Sequence, residues 1–248
     1  MKFYKSIVAY DGTEFHGFQR QVEGLRTVQE ELEKALRILG WSESSLKSAG
    51  RTDAGVHANG QVISFGFEWQ ADQEELSSAL NANLPKDIAV RHTETVSEDF
   101  HPRFSAQRRY YQYSIYCAPE RAPLKDRYTW RIWPEPDFGS LKEIGSRILG
   151  RRDFAAFGQA PIEGGHTIRE VFRADWSSSS EGLTFDIEAN AFLYHMVRRL
   201  VAAMMSVGKG KSTSRDIQDL LEDPSKRWEG SIAPANGLSL EAVYYQNG

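Results

Sequence analysis

One order of elements, strand–helix–strand–strand–helix–strand, runs twice through this chain, and that repetition limits the fold more than any other feature. In the first half Phe3–Tyr10 has strand character and stops at the turn signal Asp11-Gly12. Thr27, with Glu30 three residues on, caps a helix whose apolar stripe is Val28, Leu32, Leu36 and Leu39. Leu46–Gly50 and Gln61–Phe67 are the next two strands; in the latter, Val62, Ser64 and Gly66 alternate with Ile63, Phe65 and Phe67. Asp72 with Glu75 opens a second helix ending before Pro85, and Ile88–Val96 returns as a strand.

The second half repeats the plan. Arg109–Cys117 is a strand with Tyr111, Tyr113 and Ile115 on one face and Tyr110, Gln112, Ser114 and Tyr116 on the other. A helix over Leu141–Leu149 stops at Gly150. Ile168–Trp176 and Leu183–Ala189 form a strand pair around Ser177–Gly182, and Asn190–Val207 is a long helix ending at Gly208. A small helix between Thr213 and Pro224 and a last strand, Leu238–Tyr245, complete the chain. The expected fold is α+β: two ferredoxin-like (βαββαβ) halves, residues 1–104 and 105–248, whose antiparallel sheets flank a central cleft. The linker falls near His101–Gln107.

At 248 residues such a chain buries roughly 70–75% of its unfolded surface and needs no covalent staple. It has none, since Cys117 is its single cysteine. No apolar run approaches the roughly 20 residues of a membrane span, and Met1–Tyr10 meets Asp11 too soon for a signal peptide, so a cytoplasmic, membrane-free protein is expected. The formal net charge of −4 argues against a nucleic-acid partner only as a sum. Arginines gather at Arg103, Arg108 and Arg109, at Arg151 and Arg152, and at Arg198 and Arg199, while acids crowd Glu30–Glu33 and Asp72–Glu75. That segregation allows a basic cleft on an acidic body.

The stretch richest in chemistry is Gly50-Arg51-Thr52-Asp53-Ala54-Gly55-Val56-His57-Ala58. It reads either as a tight turn in which Asp53 bonds its own backbone, or as a loop that holds Asp53 as a nucleophile. An ionised carboxylate suits chemistry at the anomeric carbon of a sugar, where positive charge builds as a base departs. Arg198, projecting from an otherwise apolar helix face, could supply a nearby cation, and it could equally be a snorkelling surface charge. Arg109-Tyr110-Tyr111-Gln112-Tyr113 interleaves basic and aromatic groups able to hold phosphates and stack on unpaired bases. Tyr110 and Tyr111 point opposite ways, so one at most reaches a cleft, and Tyr113 reads as core. Gly208-Lys209-Gly210-Lys211-Ser212 is not a P-loop, because the first glycine would fall at Met205 and the segment follows a helix. The six histidines form no metal-binding pattern, so neither metal nor cofactor is expected.

Arg51-Thr52-Asp53-Ala54-Gly55-Val56-His57 resembles the signature of the TruA family of tRNA pseudouridine synthases. The likeness continues through Tyr10-Asp11-Gly12-Thr13, Gly17-Phe18-Gln19-Arg20-Gln21, Thr27-Val28-Gln29-Glu30 and Asn81-Ala82-Asn83-Leu84-Pro85. It extends to Phe100-His101-Pro102-Arg103-Phe104-Ser105-Ala106, His195-Met196-Val197-Arg198 and Gly237-Leu238. The resemblance implies the pseudouridine synthase fold and a homodimer isomerising uridines in the tRNA anticodon stem-loop, at positions 38 to 40. It makes Asp53 the nucleophile, Tyr111 the residue that contacts the target base and assists at C5, and Arg198 the partner of Asp53. Arg51 takes the space the flipped base leaves, and Thr52, His57, Arg20, Arg103 and Arg109 join Tyr111 in binding substrate. Phe18 stands where the family usually has Trp, and Arg199 and Ala202 replace the commoner Asn and Gly. The rival readings are a non-catalytic RNA-binding protein, for which Gly60–Phe65 lacks the aromatic signature, and an RNA methyltransferase, for which Tyr10–Thr13 opens no helix.

Overall fold

The computed structural model describes residues 1–22, 24–160 and 164–246. It divides into two compact units, Met1–Gln107 with the chain from Ser239 onward, and Arg108–Leu238. The sequence reading puts the division at 104/105 and leaves the last strand with the second half; in the structure that strand lies with the first.

In the first unit β1 (Lys2–Tyr10), α1 (Val28–Ile38), β2 (Lys47–Ser48), β3 (His57–Phe67), α2 (Gln73–Asn83) and β4 (Ile88–Val96) follow the expected order. The sheet runs β4-β1-β3 with β2 on the far end of β3, all antiparallel, which is the ferredoxin-like arrangement. Alternate residues of β1, namely Tyr4, Ser6, Val8 and Tyr10, are buried, while β3 is buried along its whole length except Asn59. Leu32 and Leu36 of α1 and Leu76 and Leu80 of α2 complete the core. Both helices start where a side chain accepts an orphan amide: Thr27 from Glu30 N at 3.4 Å and Asp72 from Glu75 N at 2.8 Å. The last strand of the chain, β10 (Leu238–Tyr245), lies parallel to the start of β3, with Ser239 opposite His57 and Leu240 opposite Ala58.

The second unit contains β5 (Ala106–Cys117), α3 (Pro123–Asp126), β6 (Trp130–Ile132), α4 (Phe138–Arg147) and β7 (Gly150–Asp153). It continues with β8 (Ile168–Ser179), β9 (Gly182–Ala189), α5 (Met196–Gly208) and α6 (Ser214–Glu222). Its strands order as β5-β9-β8-β7, antiparallel, with β6 parallel to β5. Trp176 stacks on Phe185 at 4.8 Å beneath α5 and donates to Met204 Sδ at 3.2 Å. The segments α3, β6 and β7 carry too little period to be legible in sequence.

Two helices differ from expectation: α4 spans Phe138–Arg147 where Leu141–Leu149 was expected, and α5 is shorter than expected. Residues 190–195 are not helical, and α5 begins at Met196. Asn190 Oδ1 accepts from Glu170 N at 3.0 Å and Ala191 N at 2.8 Å, Tyr194 N donates to Gln159 O at 3.1 Å, and His195 is left-handed at φ 64°. These bonds engage backbone groups that a helix would need. Among the described residues no helix is long and apolar enough to cross a membrane.

Candidate active site

In the first unit the loop between β2 and β3 presents Asp53. Its backbone closes a turn, Val56 N to Asp53 O at 3.2 Å, and it is fixed from one side by the loop that follows β1. Phe18 N donates to Thr52 O at 3.1 Å and Gly55 N to Phe15 O at 3.3 Å. The two loops meet backbone to backbone: a β-carbon at Gly12 would lie 2.0 Å from Val56 O, and one at Gly17 would lie 2.9 Å from Thr52 O. Gly17 also has φ +93°, so both space and backbone angle demand glycine there. The outcome is a half-buried carboxylate on a loop with little freedom to relax.

The neighbours of Asp53 face different ways. Arg51 is exposed, whereas Thr52 turns inward, its hydroxyl 2.8 Å from Tyr10 Oη. Burial pushes the Tyr10 phenol up to about 12, against smaller opposing effects of its bonds to Thr52 and Gln61. His57 is buried at the start of β3. Its Nδ1 accepts from Gly12 N at 3.0 Å and lies 3.3 Å from Asp11 Oδ1. His57 therefore braces the same two loops.

Arg20 and Arg103, the other expected contacts of this unit, are also engaged within it. Arg20 Nη1 pairs with Glu33, a fully buried carboxylate that also accepts from Arg37 Nη2 at 3.3 Å, Gln29 Nε2 at 2.9 Å and Leu46 N at 3.2 Å. Arg103 lies over the exposed Phe104 ring at 5.7 Å. Phe18 is buried, its ring 6.2 Å from that of Tyr10.

In the second unit Tyr111 and Arg109 meet the non-helical segment 190–195, and Arg198 lies in the helix that follows it. Tyr111 meets the Phe192 ring edge-on at 5.1 Å, and Arg109 Nη1 donates to Asn190 O at 2.7 Å. Arg198, in the first turn of α5, donates through Nε to Ala233 O at 2.7 Å, while Ala233 N returns a bond to Arg198 O at 3.2 Å. Tyr113 is wholly buried, as expected of a core residue, and donates to Pro234 O at 2.8 Å. Burial pushes its phenol far up, partly opposed by the charge of Arg198. A β-carbon at Gly237 would fall 2.7 Å from the Tyr113 ring, which accounts for glycine there. Tyr110, on the other face, donates to Asp186 at 2.6 Å beside Arg173, and burial and that carboxylate raise it to about 12.

Sequence reasoning alone missed Tyr10, Ala233, Pro234 and Phe192, the groups that hold the chemical residues in place. Tyr10 opens the Tyr10-Asp11-Gly12-Thr13 motif, so a signal existed there; Ala233 acts through its carbonyl and amide, which leave none. Among the described residues no group of three or more His, Cys, Asp or Glu is placed to hold a metal ion.

Residues 7–105 and 146–246 match the family described as tRNA pseudouridine synthase. The chain is 38% identical over 245 residues to tRNA pseudouridine synthase A of Bacillus subtilis (strain 168), covering 98% of this chain and 99% of that one. It is 37% identical over 245 residues to the Geobacter sulfurreducens protein of the same name (99% and 100% covered) and 36% identical over 239 residues to that of Neisseria meningitidis serogroup B (96% and 90% covered).

Proposed function

The chain belongs to the tRNA pseudouridine synthase family, and from that premise we propose that it converts uridine to pseudouridine in the anticodon stem-loop of tRNA, at positions 38 to 40, with Asp53 as nucleophile. Basic side chains grip the RNA backbone and the target uridine leaves its stem, with Arg51 entering the space it vacates. The Asp53 carboxylate promotes cleavage of the N1–C1′ bond by stabilising or capturing the charge at C1′. The freed uracil turns, C5 bonds to C1′, and the proton lost from C5 is matched by one gained at N1. Atoms and electrons balance within the nucleotide, so the reaction requires neither redox partner nor hydrolysis. Tyr111 contacts the base and assists at C5, and Arg198 supplies positive charge that favours the ionised carboxylate. Thr52, His57, Arg20, Arg103 and Arg109 complete the substrate-binding set in this reading, the first two through the loops they brace. The working form is a cytoplasmic homodimer.

The observation that carries this reading is the fixed geometry of the Asp53 loop, held by Phe18, Gly55 and the close approach of Gly12 and Gly17. A nucleophile gains from being placed before substrate arrives. The test is Asp53→Asn, which keeps shape and removes charge. Unmodified tRNA transcripts incubated with the variant, then mapped with carbodiimide, should contain no pseudouridine, while tRNA binding stays within a few-fold of wild type. Substantial turnover would remove Asp53 from this role. A wild-type protein that binds tRNA and converts none of it would favour a non-catalytic RNA-binding protein.

A further inference from the structure

The segment 190–195 leaves one feature the reaction above does not use. Tyr194 is a 57% exposed aromatic residue whose ring stacks on His195 at 3.7 Å with the planes 29° apart. Stacking occupies one face of the phenol ring, and the residue's exposure leaves the other side open to solvent. The backbone beneath it is held firmly. Tyr194 N donates to Gln159 O at 3.1 Å in an isolated β-bridge, and Met196 N donates to Leu193 O at 3.1 Å. Gly158 packs so closely that a β-carbon there would lie 2.5 Å from Leu193 Cβ and 2.9 Å from Tyr194 O. His195 is the one non-glycine residue with positive φ, 64°, among the described residues. Such a conformation costs energy in an L-residue and persists only where its surroundings impose it. Here it turns the imidazole under the phenol. The same segment carries Phe192 against Tyr111 and leads into the helix of Arg198.

We infer that Tyr194, backed by His195, is a stacking platform for an unpaired base of the bound RNA. This rests on the reading of the protein as a tRNA-modifying enzyme. A rigid exposed ring on the segment whose Phe192 touches the proposed base contact suits a nucleotide left unstacked when the target uridine is extruded, because every base offers a π-face. The ring gives affinity without touching the reacting atoms, so Tyr194 is a binding residue.

The experiment uses the full chain carrying Asp53→Asn and a fluorescent anticodon stem-loop RNA, so that binding is read without turnover. Tyr194→Ala should weaken binding on the order of tenfold, while Tyr194→Phe and Tyr194→Trp stay within about twofold. Tyr194→Leu, which keeps apolar bulk and loses the π-face, should resemble Tyr194→Ala. Equal binding by the alanine variant overturns the inference, as does a leucine variant that binds like phenylalanine. With Asp53 restored, Tyr194→Ala should raise KM for tRNA by a similar factor and leave kcat at saturation within twofold; an unchanged KM overturns it too. A wild-type protein that forms no pseudouridine would sink the parent reading instead, so the two failures are distinguishable.

Discussion

Tyr10 carries a hydroxyl into the interior and bonds it to Gln61 and to Thr52, the residue before Asp53. Burial keeps the phenol protonated to about pH 12, whereas in the unfolded chain it ionises near its ordinary value of 10. Between those values the unfolded state binds fewer protons, so this contribution to stability is complete below about pH 10 and declines as pH rises towards 12. The slope is about 1.4 kcal/mol per pH unit. Denaturant unfolding of wild type and Tyr10→Phe should therefore show a stability gap constant from pH 8 to 9 and narrowing by about 1 kcal/mol between pH 10 and 11. A gap independent of pH would mean that the phenol is not desolvated. Arg20 poses a second question, because it stands in the expected substrate-binding set yet pairs with the buried Glu33. Its own side chain is 42% exposed and Arg37 shares the carboxylate, so the loss on Arg20→Met should be modest, about 1–2 kcal/mol. The salt dependence of tRNA binding discriminates: an unchanged slope marks Arg20 as structural, and a slope lower by about one marks a phosphate contact. The crowding of a carboxylate, a guanidinium and an imidazole into one glycine-rich loop at residues 51–57 was legible in sequence. Which side chains face inward was not. Thr52 and His57 take their directions from Tyr10 and from the amide of Gly12, partners more than 40 residues away in the chain.

Caps and apolar period locate most elements because each is a local event. Thr27, Asp72 and Thr213 all accept the expected amide at their helix starts, and Ile88–Val96 and Leu238–Tyr245 match their sequence-based bounds. The fourth helix shows how a local signal can mislead. Leu141–Leu149 was the apolar stretch, but Asp137 accepts from Ser140 N at 2.7 Å and starts the helix earlier, at Phe138. Similarly 190–195 has helical composition and loses its backbone donors to Gln159 and to the Asn190 side chain, which no window of sequence reveals. Within α4, Gly145 sets propensity against packing. Replacing an interior helix glycine by alanine ordinarily gains about 1 kcal/mol. A β-carbon at Gly145, however, would fall 2.5 Å from the Ala174 carbonyl oxygen of β8, and backbone cannot swing aside as a side chain can. Overpacking of this kind costs about 1–3 kcal/mol, so Gly145→Ala should destabilise the protein by up to about 2 kcal/mol. A urea midpoint that rises would show that the helix can lift off the sheet at little cost.

For the whole chain, the repeated element order gave the two-unit plan, and what it could not give is where the final strand goes. Period says that residues 238–245 form a strand; pairing partners separated by about 180 residues leave no local trace. In the structure β10 lies beside the start of β3, the strand that issues from the Asp53 loop. Three further contacts tie it to the first unit. Asn59 Nδ2 donates to Glu241 Oε2 at 2.9 Å, Tyr245 Oη donates to Pro102 O at 2.9 Å, and the Tyr245 ring lies 5.1 Å from Phe100. Gly60 faces the Glu241 carbonyl so closely that a β-carbon would sit 2.2 Å from it. The seam is thus a backbone contact as well as a ladder, and it holds the C-terminal side of the loop that bears Asp53. Gly60→Ala should force the strands apart there, at a cost of about 1–3 kcal/mol. Its effect should be spatially selective. By hydrogen exchange the amides of His57–Gly60 and Ser239–Glu241 should lose protection together, while those of α4 and β8 keep theirs. Because opening the seam frees one end of the loop bearing Asp53, kcat should fall more than KM rises. Unchanged exchange at His57–Gly60, or a loss spread evenly over both units, would show that the last strand does not brace the loop.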